Sequence, residues 1–330
     1  MQKELKMAEK QENLEEKNIH GNLIVYNAPD ALSILNDKLS NELSSGDLDL
    51  LALSQLSNDK VVELEISKQG AKKKITTPVV LYYNDSDPNL NFRTIKPWTA
   101  YDRAVHDAVA TLYEAGYQYF TPAMVYRIMN GLTEDETVSP QAQGAVTKSL
   151  EKARMIRLFV NYSDVYNAYR KNTTKENDVF TVDSQVLDIK RFRAKAGGNI
   201  FIAYEFLGKP LLLEYAQITN QILNIPFDLL NTKSIKNTED VIVLKSYLLR
   251  QIEAIKRNRR NNHIKYDTIY KELGIENPED RSLRGTLYRR RQAIHKLLNE
   301  WTEKGYIKGY EEYDKKGSKG VIIRVLDELE

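Results

Sequence analysis

The chain has 330 residues, 42% of them hydrophobic and 28% charged, which is enough for the cores of two or three domains. It contains no cysteine, so disulfides, thiolate catalysis and cysteine-ligated zinc are excluded, and we expect a protein of the reducing cytoplasm. The charged N-terminus has no signal-peptide core, and no apolar run reaches the length of a membrane span, so we expect no membrane contact.

Positive charge is concentrated in one part of the sequence. The formal net charge is only +2, and residues 1–90 carry 10 Lys against 15 acidic residues. Residues 241–320, in contrast, carry 19 Lys/Arg against 11 acidic residues, a balance of +8. Such a region predicts a surface for a polyanion such as nucleic acid, with chance clustering on a solvated surface as the alternative.

The N-terminal region has no clear fold in the sequence. Residues 1–20 have the composition of a polar helix or a disordered tail. Residues 21–94 are interpreted as a small extension of uncertain fold. In it, NLIVY and VVELEI are typical of short strands, DALSILNDKLSNEL has helical spacing, and SKQGAKKKITTP and YYNDSDPNLN are rich in turn residues.

Three consecutive helices begin the first predicted domain, residues 95–230. Thr99, with Asp102 three residues later, approximates a capping box, and the TP and SP pairs that open the next two helices each place a cap before a first-position proline. The third helix is predicted to run into a strand at 157–162. Three short helices followed by a pair of strands are the parts of a winged helix-turn-helix.

The same domain is predicted to continue with an enlarged β-sheet. The segments NDVFTVDSQVLDIKRFRA and NIFIAYEFLGKPLLLEYAQ have the composition of strands. Gly197 and Gly198 between them suit a hairpin turn, and a second turn is predicted at 208–210.

A polar segment, residues 231–240, is predicted to link this domain to a second one at residues 241–326. There the order repeats: an apolar-striped helix, a short strand at HIKYD, a small helix, a long helix, and a two-stranded wing around KKGSK. The predicted fold class is therefore α+β, with two tandem winged helix-turn-helix domains, the first with an enlarged β-sheet, plus a small N-terminal extension. A generic helical domain with a terminal hairpin is the alternative.

The long helix of the second domain carries the candidate DNA-reading face. The last helix of this motif enters the major groove, where arginine suits guanine and glutamine suits adenine. A polar stripe lies about 100° from the apolar face. Its members are Arg281, Arg284, Tyr288, Arg291, Gln292 and His295. Gly285 permits a close approach of the backbone, whereas Arg290 falls on the apolar side, where its stem covers the core or its head reaches a phosphate.

Further cations are predicted to contact the DNA backbone. They are Arg257, Arg259 and Arg260 at the end of the first helix of the second domain, and Lys315, Lys316 and Lys319 on the wing tip. The corresponding helix of the first domain is polar but less basic, and its candidates are Gln141, Thr147, Lys148 and Lys152. That helix suits DNA contact and a structural or dimerising role equally. Tyrosines in the basic region allow stacking on single-stranded bases, but their spacing also fits core edges.

Known catalytic patterns are absent from the sequence, so we expect no enzyme, no cofactor and no bound metal. There is no P-loop, the four histidines are isolated, and neither H-x-H nor H-E-x-x-H occurs. His295 is not followed by the H-x-x-R pattern of a tyrosine recombinase. The acid pair Asp85 and Asp87 in NDSDPN is typical of turns.

Two consecutive winged helices, the second more basic, resemble the replication initiators of plasmids and of Gram-positive mobile elements. The resemblance covers about residues 95–326 and rests on VLKSYLLRQIEAIKRN, YDTIYKELG and RGTLYRRRQAIHKLLNEWTEKGYIKGY. It implies a protein without chemistry of its own that binds double-stranded DNA at origin repeats, helps to open the duplex and recruits the host helicase or its loader. The first domain would contact DNA or mediate a homodimer. The N-terminal 90 residues depart from the compact form of that family.

Two other functions stay open on these residues, because winged helices serve many roles. A transcriptional regulator of the same fold would bind a palindrome and change transcript levels. A protein-interaction adaptor, such as a helicase loader or a partition partner, would present the basic helix to an acidic protein surface and bind duplex DNA weakly. If the helix reads DNA, Arg284→Ala or Arg291→Ala should weaken specific binding by about 1–3 kcal/mol.

Overall fold

The computed structural model of the chain is described here for residues 22–26, 62–67, 76–83, 99–161, 181–196, 199–218, 222–257, 261–275, 277–315 and 318–326. The fold is of the α+β class, with small antiparallel sheets among helices.

The chain divides into two compact units. One comprises the described residues within Tyr26–Tyr126 and Val138–Ile222, and the other those within His20–Val25, Arg127–Thr137 and Leu223–Glu330. The division at residue 222 lies earlier in the chain than the predicted linker at 231–240.

Three helices have ends that follow the predicted caps: α1 (Ala100–Glu114), α2 (Pro122–Asn130) and α3 (Pro140–Met155). α1 and α3 belong to the first unit, and the boundary between the units falls within α2, after Tyr126. The capping box of α1 is formed, since the Thr99 amide donates to Asp102 Oδ2 at 2.8 Å and the Asp102 amide donates to Thr99 Oγ1 at 3.2 Å. The hydroxyls of Thr121 and Ser139 accept from backbone amides at the starts of α2 and α3. Gly116, with φ of +83°, ends α1 in the left-handed conformation that favours glycine.

The core of the first unit lies between α1 and α3. Val105, Val109 and Leu112 of α1 and Leu150 of α3 are almost completely inaccessible to solvent. A polar contact also joins the two helices, because Ser149 Oγ of α3 donates to Asp102 Oδ1 at 2.7 Å. The cap of α1 therefore also fixes its contact with α3.

A four-stranded antiparallel sheet in the first unit includes strands from the N-terminal extension. Its order is β2–β3–β5–β6, with β2 at Val62–Ser67, β3 at Thr76–Tyr83, β5 at Ile156–Asn161 and β6 at Thr181–Gln185. β3 includes residues that the sequence assigned to turns. Its β-branched and aromatic residues pair with both β2 and β5, and these partners are distant in the sequence.

A second sheet in this unit has three strands, in the order β4–β8–β7. They are β4 (Tyr119–Phe120), β7 (Ile189–Ala196) and β8 (Asn199–Phe206). β7 and β8 form the predicted hairpin, with pairing that extends to Ala196 and Asn199. The strand that follows α3 is β5 of the other sheet, close to the predicted strand at 157–162, and it pairs with the next strand, β6. The pair β5–β6 therefore comes between α3 and the β7–β8 hairpin.

The segment LLLEYAQ forms a helix, and its assignment as a strand was also wrong. The helix α4 spans Leu211–Ile218, directly after Pro210. Leu211, Leu213 and Ala216 are buried along it. A short continuous apolar run does not distinguish a buried strand from a buried helix by its periodicity, so only packing decides.

The second unit contains the elements predicted for its end. β1 (Asn22–Tyr26), which matches the predicted strand NLIVY, and β9 (Ile222–Pro226) form a two-stranded sheet. Then follow α5 (Phe227–Leu230), α6 (Glu239–Lys256), β10 (His263–Lys265), α7 (Tyr266–Glu272), a 3₁₀ turn at Arg281–Leu283, α8 (Arg284–Glu303), β11 (Gly309–Lys315) and β12 (Ser318–Arg324).

The last three strands form an antiparallel sheet in the order β10–β12–β11. A helix, a short strand, two helices and a hairpin thus occur twice in the same chain order, once from α1 to β8 and once from α6 to β12. In both, the short strand pairs with the second strand of the hairpin. The repetition predicted from the sequence is present, but in the first unit β5 and β6 separate the third helix from its hairpin.

The core of the second unit includes two polar anchors that hold the chain between Leu229 and Asn237. Trp301, fully buried, donates from Nε1 to the carbonyl oxygen of Leu229 at 2.9 Å. Lys245 of α6 is also fully buried, and its Nζ donates to Leu230 O at 2.7 Å and to Asn237 Oδ1 at 2.8 Å. Burial lowers the pKa of Lys245 to about 7. The segment predicted to be a linker is therefore fastened to α6.

Candidate nucleic-acid interface

The first turns of α8 project from the hydrophobic core. Its buried residues begin only at Ala293 and continue with Ile294, Leu297, Leu298 and Trp301. Leu287, one turn before Arg291, is only half-buried. The helix is thus held by its C-terminal half, and its N-terminal half presents side chains to solvent.

Four of the predicted reading residues lie exposed on this N-terminal half or just before it. They are Arg281, Arg284, Tyr288 and Gln292. Tyr288 is the most exposed large hydrophobic residue in the described chain, at 64%. Within the part of the chain that the structure describes, none of these four side chains has a hydrogen bond or ion pair. Their donors are therefore available to an external acceptor.

Arg291 and His295 have a different environment, in a cluster built around Glu312 of β11. Glu312 Oε1 accepts from Arg291 Nε at 2.7 Å and from Tyr266 Oη at 2.5 Å, and His295 Nε2 lies 2.7 Å from the same oxygen. His295 Nδ1 also lies 3.0 Å from Tyr310 Oη. We call these five residues the Glu312 cluster; it joins α7, α8 and the β11–β12 hairpin.

The surroundings of Glu312 in this cluster favour its ionised carboxylate. The hydrogen bond from Arg291 lowers the pKa of Glu312 to about 2, aided by the hydrogen bond from Tyr266 and by the charge of His295. Burial raises the pKa of Tyr266, and its hydrogen bond to Glu312 raises it further. The guanidinium of Arg291 also lies 5.0 Å from the ring centroid of Tyr266. The cluster therefore orients Arg291, but it also occupies part of its hydrogen-bonding capacity.

The neighbouring arginines of α8 have partners in the protein. Arg290, predicted to lie on the apolar side, is half-buried and forms an ion pair with Asp240 of α6. Arg289 is exposed and donates weakly to Thr286 Oγ1 at 3.4 Å. The dense run of arginines thus divides into residues that hold the helix and residues that face solvent.

The predicted phosphate-binding cations fall partly outside the described residues. Arg259, Arg260 and Lys316 lie outside them, as does the side chain of Lys315. Arg257 is exposed at the C-cap of α6. Lys319 on β12 is exposed but pairs with Asp314 of β11 at 2.8 Å. Asp314, Glu311 and Glu312 reduce the positive charge of this hairpin.

In the first unit, α3 brings only two of its predicted residues to the surface. Gln141 and Lys148 are exposed. Thr147 Oγ1 donates to Gln143 O of the preceding turn at 2.8 Å. Lys152 forms an ion pair with the buried carboxylate of Asp102, and its side chain is only 14% exposed. Lys152 therefore joins α3 to α1 in this structure, and its ammonium is not presented to solvent.

Sequence analysis did not identify the cations of β7. Arg193 and Lys195 are exposed, and neither has an ion pair with any described residue. The sequence contains a pattern that indicates them: Arg191, Arg193 and Lys195 alternate along IKRFRAK and therefore share one face of the strand. Arg191 is held by Glu151 of α3, 3.5 Å away.

The described residues lack two other features. No group of three or more histidine, aspartate or glutamate side chains there is arranged to hold a metal ion. No helix among them combines the length and the apolar character that crossing a bilayer requires.

Solved structures that are similar to this chain include two of one protein. Both are crystal structures of domains 2 and 3 of RctB, one of them of selenomethionine derivatives. Each has a TM-score of 0.41 and 13% sequence identity, and each alignment covers 81% of this chain and 92% of that chain. No protein-family model matches the sequence, and no curated protein matches it.

Proposed function

We propose that the chain is a sequence-specific double-stranded DNA-binding protein in which α8 enters the major groove. One observation carries this proposal. The N-terminal turns of α8 project from the core and present Arg281, Arg284, Tyr288 and Gln292 to solvent without partners among the described residues. Arginine and glutamine are the side chains best suited to reading guanine and adenine.

The arrangement of elements supports this role. We assign both units as winged helices, in which α3 and α8 are the third helices and the hairpins β7–β8 and β11–β12 are the wings. A third helix beside a two-stranded wing is the geometry in which the helix reads the major groove and the wing contacts the backbone. In the second unit, the Glu312 cluster fixes the wing against the helix that would read the bases.

The interface that we propose is smaller than the predicted set. Arg281, Arg284, Tyr288 and Gln292 would contact bases or nearby phosphates, and Arg257 and Lys319 would contact phosphates. Arg291 and His295 would reach DNA only by exchanging Glu312 for a phosphate or a base edge. Gln141 and Lys148 would form a weaker contact from the first unit, and Lys152 is left out.

A selection experiment tests sequence-specific binding. The full chain is incubated with duplexes that have a randomised centre, in the presence of excess mixed-sequence competitor, and bound duplexes are recovered over several rounds. We expect one sequence to be enriched and to bind with higher affinity than random duplex at every salt concentration. Binding that disappears with salt and enriches no sequence would show only electrostatic attraction to the DNA backbone. That result would favour the protein-interaction adaptor.

Within this function, we propose the role of a replication initiator, on the tandem arrangement of two winged helices. Host replication proteins are then the expected partners. The test uses a circular DNA with no other origin, carrying copies of the selected sequence as direct repeats, in a host that expresses the chain. Maintenance of the circle, and its loss with the Arg284→Ala variant, support an initiator. A selected palindrome that alters transcription without maintaining the circle supports a regulator.

A further inference from the structure

The tip of the β7–β8 hairpin exposes two large apolar side chains. Ile200 is 53% exposed and Phe201 is 41% exposed. The other hairpin differs, since Asp314 and Lys319 form an exposed ion pair near its turn. An exposed aliphatic residue beside an exposed aromatic one, at the end of a projecting hairpin, is a feature that isolated surface residues do not share.

The pairing of the strands sets which side chains share a face. Lys195 lies opposite Ile200, and Arg193 lies opposite Ile202, so these four residues occupy one face. Phe201 lies opposite Ala194 on the other face. The tip is therefore apolar on both faces, and cations flank the apolar residues on one of them.

The base of the hairpin is anchored in the first unit. Tyr204 of β8 is fully buried, donates from its hydroxyl to Glu151 Oε1 at 2.7 Å and stacks on Phe120 with ring centroids 5.5 Å apart. Arg191 binds the same Glu151. Because its base is fixed, the hairpin can keep its position while the apolar residues at its tip insert into a partner.

The charge of the hairpin identifies the partner as a polyanion. Arg193 and Lys195 are exposed without a carboxylate partner among the described residues. Glu205, the acidic residue of β8, lies towards the base and contacts Lys190 and Tyr119. A nucleic-acid duplex is a polyanion that also accepts apolar side chains, because its base steps can be partly unstacked by wedges of isoleucine or phenylalanine from the minor groove. It is the partner that the proposed function already requires.

We propose that the β7–β8 hairpin is a wedge that enters the minor groove of duplex DNA, with Ile200 and Phe201 inserted at a base step and Arg193 and Lys195 on the adjacent phosphates. The inference rests on the proposed function of duplex binding and adds a second activity to it. While α8 reads the sequence, the hairpin unstacks and kinks the duplex. Flexible steps such as TpA are the easiest to unstack, so the wedge acts there without reading bases.

The experiment measures base unstacking separately from binding. The probe is a mixed-sequence duplex of about 40 base pairs with 2-aminopurine at TpA steps. The fluorescence of 2-aminopurine rises when base stacking is lost. The anisotropy of a label at the end of the duplex reports binding at low salt. We expect the full chain at saturation to raise 2-aminopurine fluorescence several-fold. The double variant Ile200→Ser, Phe201→Ser should bind the duplex but give no rise.

Two variants serve as controls. Leu207→Ser replaces an apolar residue of similar exposure just beyond the other end of β8 and should leave the rise unchanged. Arg193→Ala with Lys195→Ala should weaken binding and make it less sensitive to salt. Circular dichroism of each variant checks that the fold is retained.

Three results would overturn the wedge. They are a saturated complex of the unaltered chain with no rise, a double variant with the same rise, and a Leu207→Ser variant that loses the rise as completely as the double variant. Failure of the proposed function is distinguishable. If Arg284→Ala does not alter sequence preference but the rise persists, only the role of α8 fails. If no duplex binds, both proposals fall.

Discussion

Arginines that look equivalent in the sequence have different surroundings in the structure. Arg284 is exposed with no partner among the described residues, Arg290 pairs with Asp240, and Arg291 donates to Glu312. Removing Arg290 or Arg291 would therefore disturb contacts within the protein as well as any contact with DNA. Arg284 is the cleaner test of base reading.

Arg284→Ala should weaken binding to the selected duplex by about 1–3 kcal/mol and relax preference at one position, because a bidentate contact to a base is lost. Affinity is measured by fluorescence anisotropy at fixed salt for selected and mixed-sequence duplexes. Arg324→Ala is the control, since Arg324 lies at the base of the β11–β12 hairpin and pairs with Glu311. An equal loss in both variants would indicate a general electrostatic effect.

Glu312→Gln should tighten binding to mixed-sequence duplex. The carboxylate places a negative charge beside the proposed interface and holds Arg291 and His295; a neutral amide releases both. The slope of log affinity against log salt concentration should steepen by about one phosphate contact. Glu311→Gln, the neighbouring residue on the other face of β11, makes the same change of charge away from the cluster. Weaker binding by Glu312→Gln alone would mean that Glu312 orients Arg291 for DNA.

The same order of helices, short strand and hairpin occurs twice in the chain, but the number of residues between the third helix and the hairpin differs. In the second unit the hairpin follows its helix directly, whereas in the first unit β5 and β6 intervene and join β2 and β3 in another sheet. The inserted strands give the first unit its additional sheet. In the second unit, the core holds only the C-terminal half of α8. The N-terminal half of this helix is therefore left for the proposed contact with DNA.

Gly285→Ala should stabilise α8 and weaken DNA binding. A Cβ at this position meets no atom within 4 Å, so the exposed helix gains about 0.5–1 kcal/mol from the better helix propensity of alanine. If the helix backbone approaches DNA at its second residue, the added methyl group obstructs it. Denaturant unfolding and anisotropy measure the two effects.

Gly144→Ala in α3 provides the matched comparison, because a Cβ there also meets nothing within 4 Å. It should stabilise the protein by a similar amount and lower affinity less than Gly285→Ala does, because α3 forms the weaker of the two proposed contacts. Unchanged DNA binding by both variants would show that the backbone of α8 keeps its distance from the duplex.

The two units differ in where their charged and titratable residues lie. The second unit contains the basic region, with 19 Lys/Arg in residues 241–320, whereas α1 of the first unit buries several polar residues. One of these, His106, is only 1% exposed, and burial lowers its pKa from 6.5 to about 3, with a contribution from the charge of Arg103. The stability of the protein therefore depends on pH through a residue distant in sequence from the proposed interface.

Stability should fall as the pH drops from 6.5 towards 3. In this range the unfolded chain binds a proton at His106 that the folded chain excludes, so acid favours unfolding by up to about 1.4 kcal/mol per pH unit. Above pH 6.5 the contribution is complete and constant. Calorimetric unfolding at several pH values should show a steeper acid loss for the unaltered chain than for His106→Asn. Parallel curves would show that His106 titrates normally in the folded protein.

Much of the local structure was predictable from the sequence. The capping box at Thr99, the proline-started helices and the strand pairing on either side of Gly197 and Gly198 are confirmed. Each depends on hydrogen bonds or side-chain alternation within a few residues. The element order of the second unit follows in the same way, from apolar periodicity and turn residues.

The sequence by itself determined where positive charge is concentrated, which residues start helices and which face of α8 is apolar, because these properties depend on neighbours within one or two turns. The tertiary structure alone decided which cations are exposed and which strands distant in the sequence pair. Glu312 lies 21 residues from Arg291 and Asp102 lies 50 from Lys152, so no local pattern indicates that these acids hold those cations. Long-range pairing also placed β5 against β3 and packed LLLEYAQ as a helix, since burial against distant residues outweighs weak local preference.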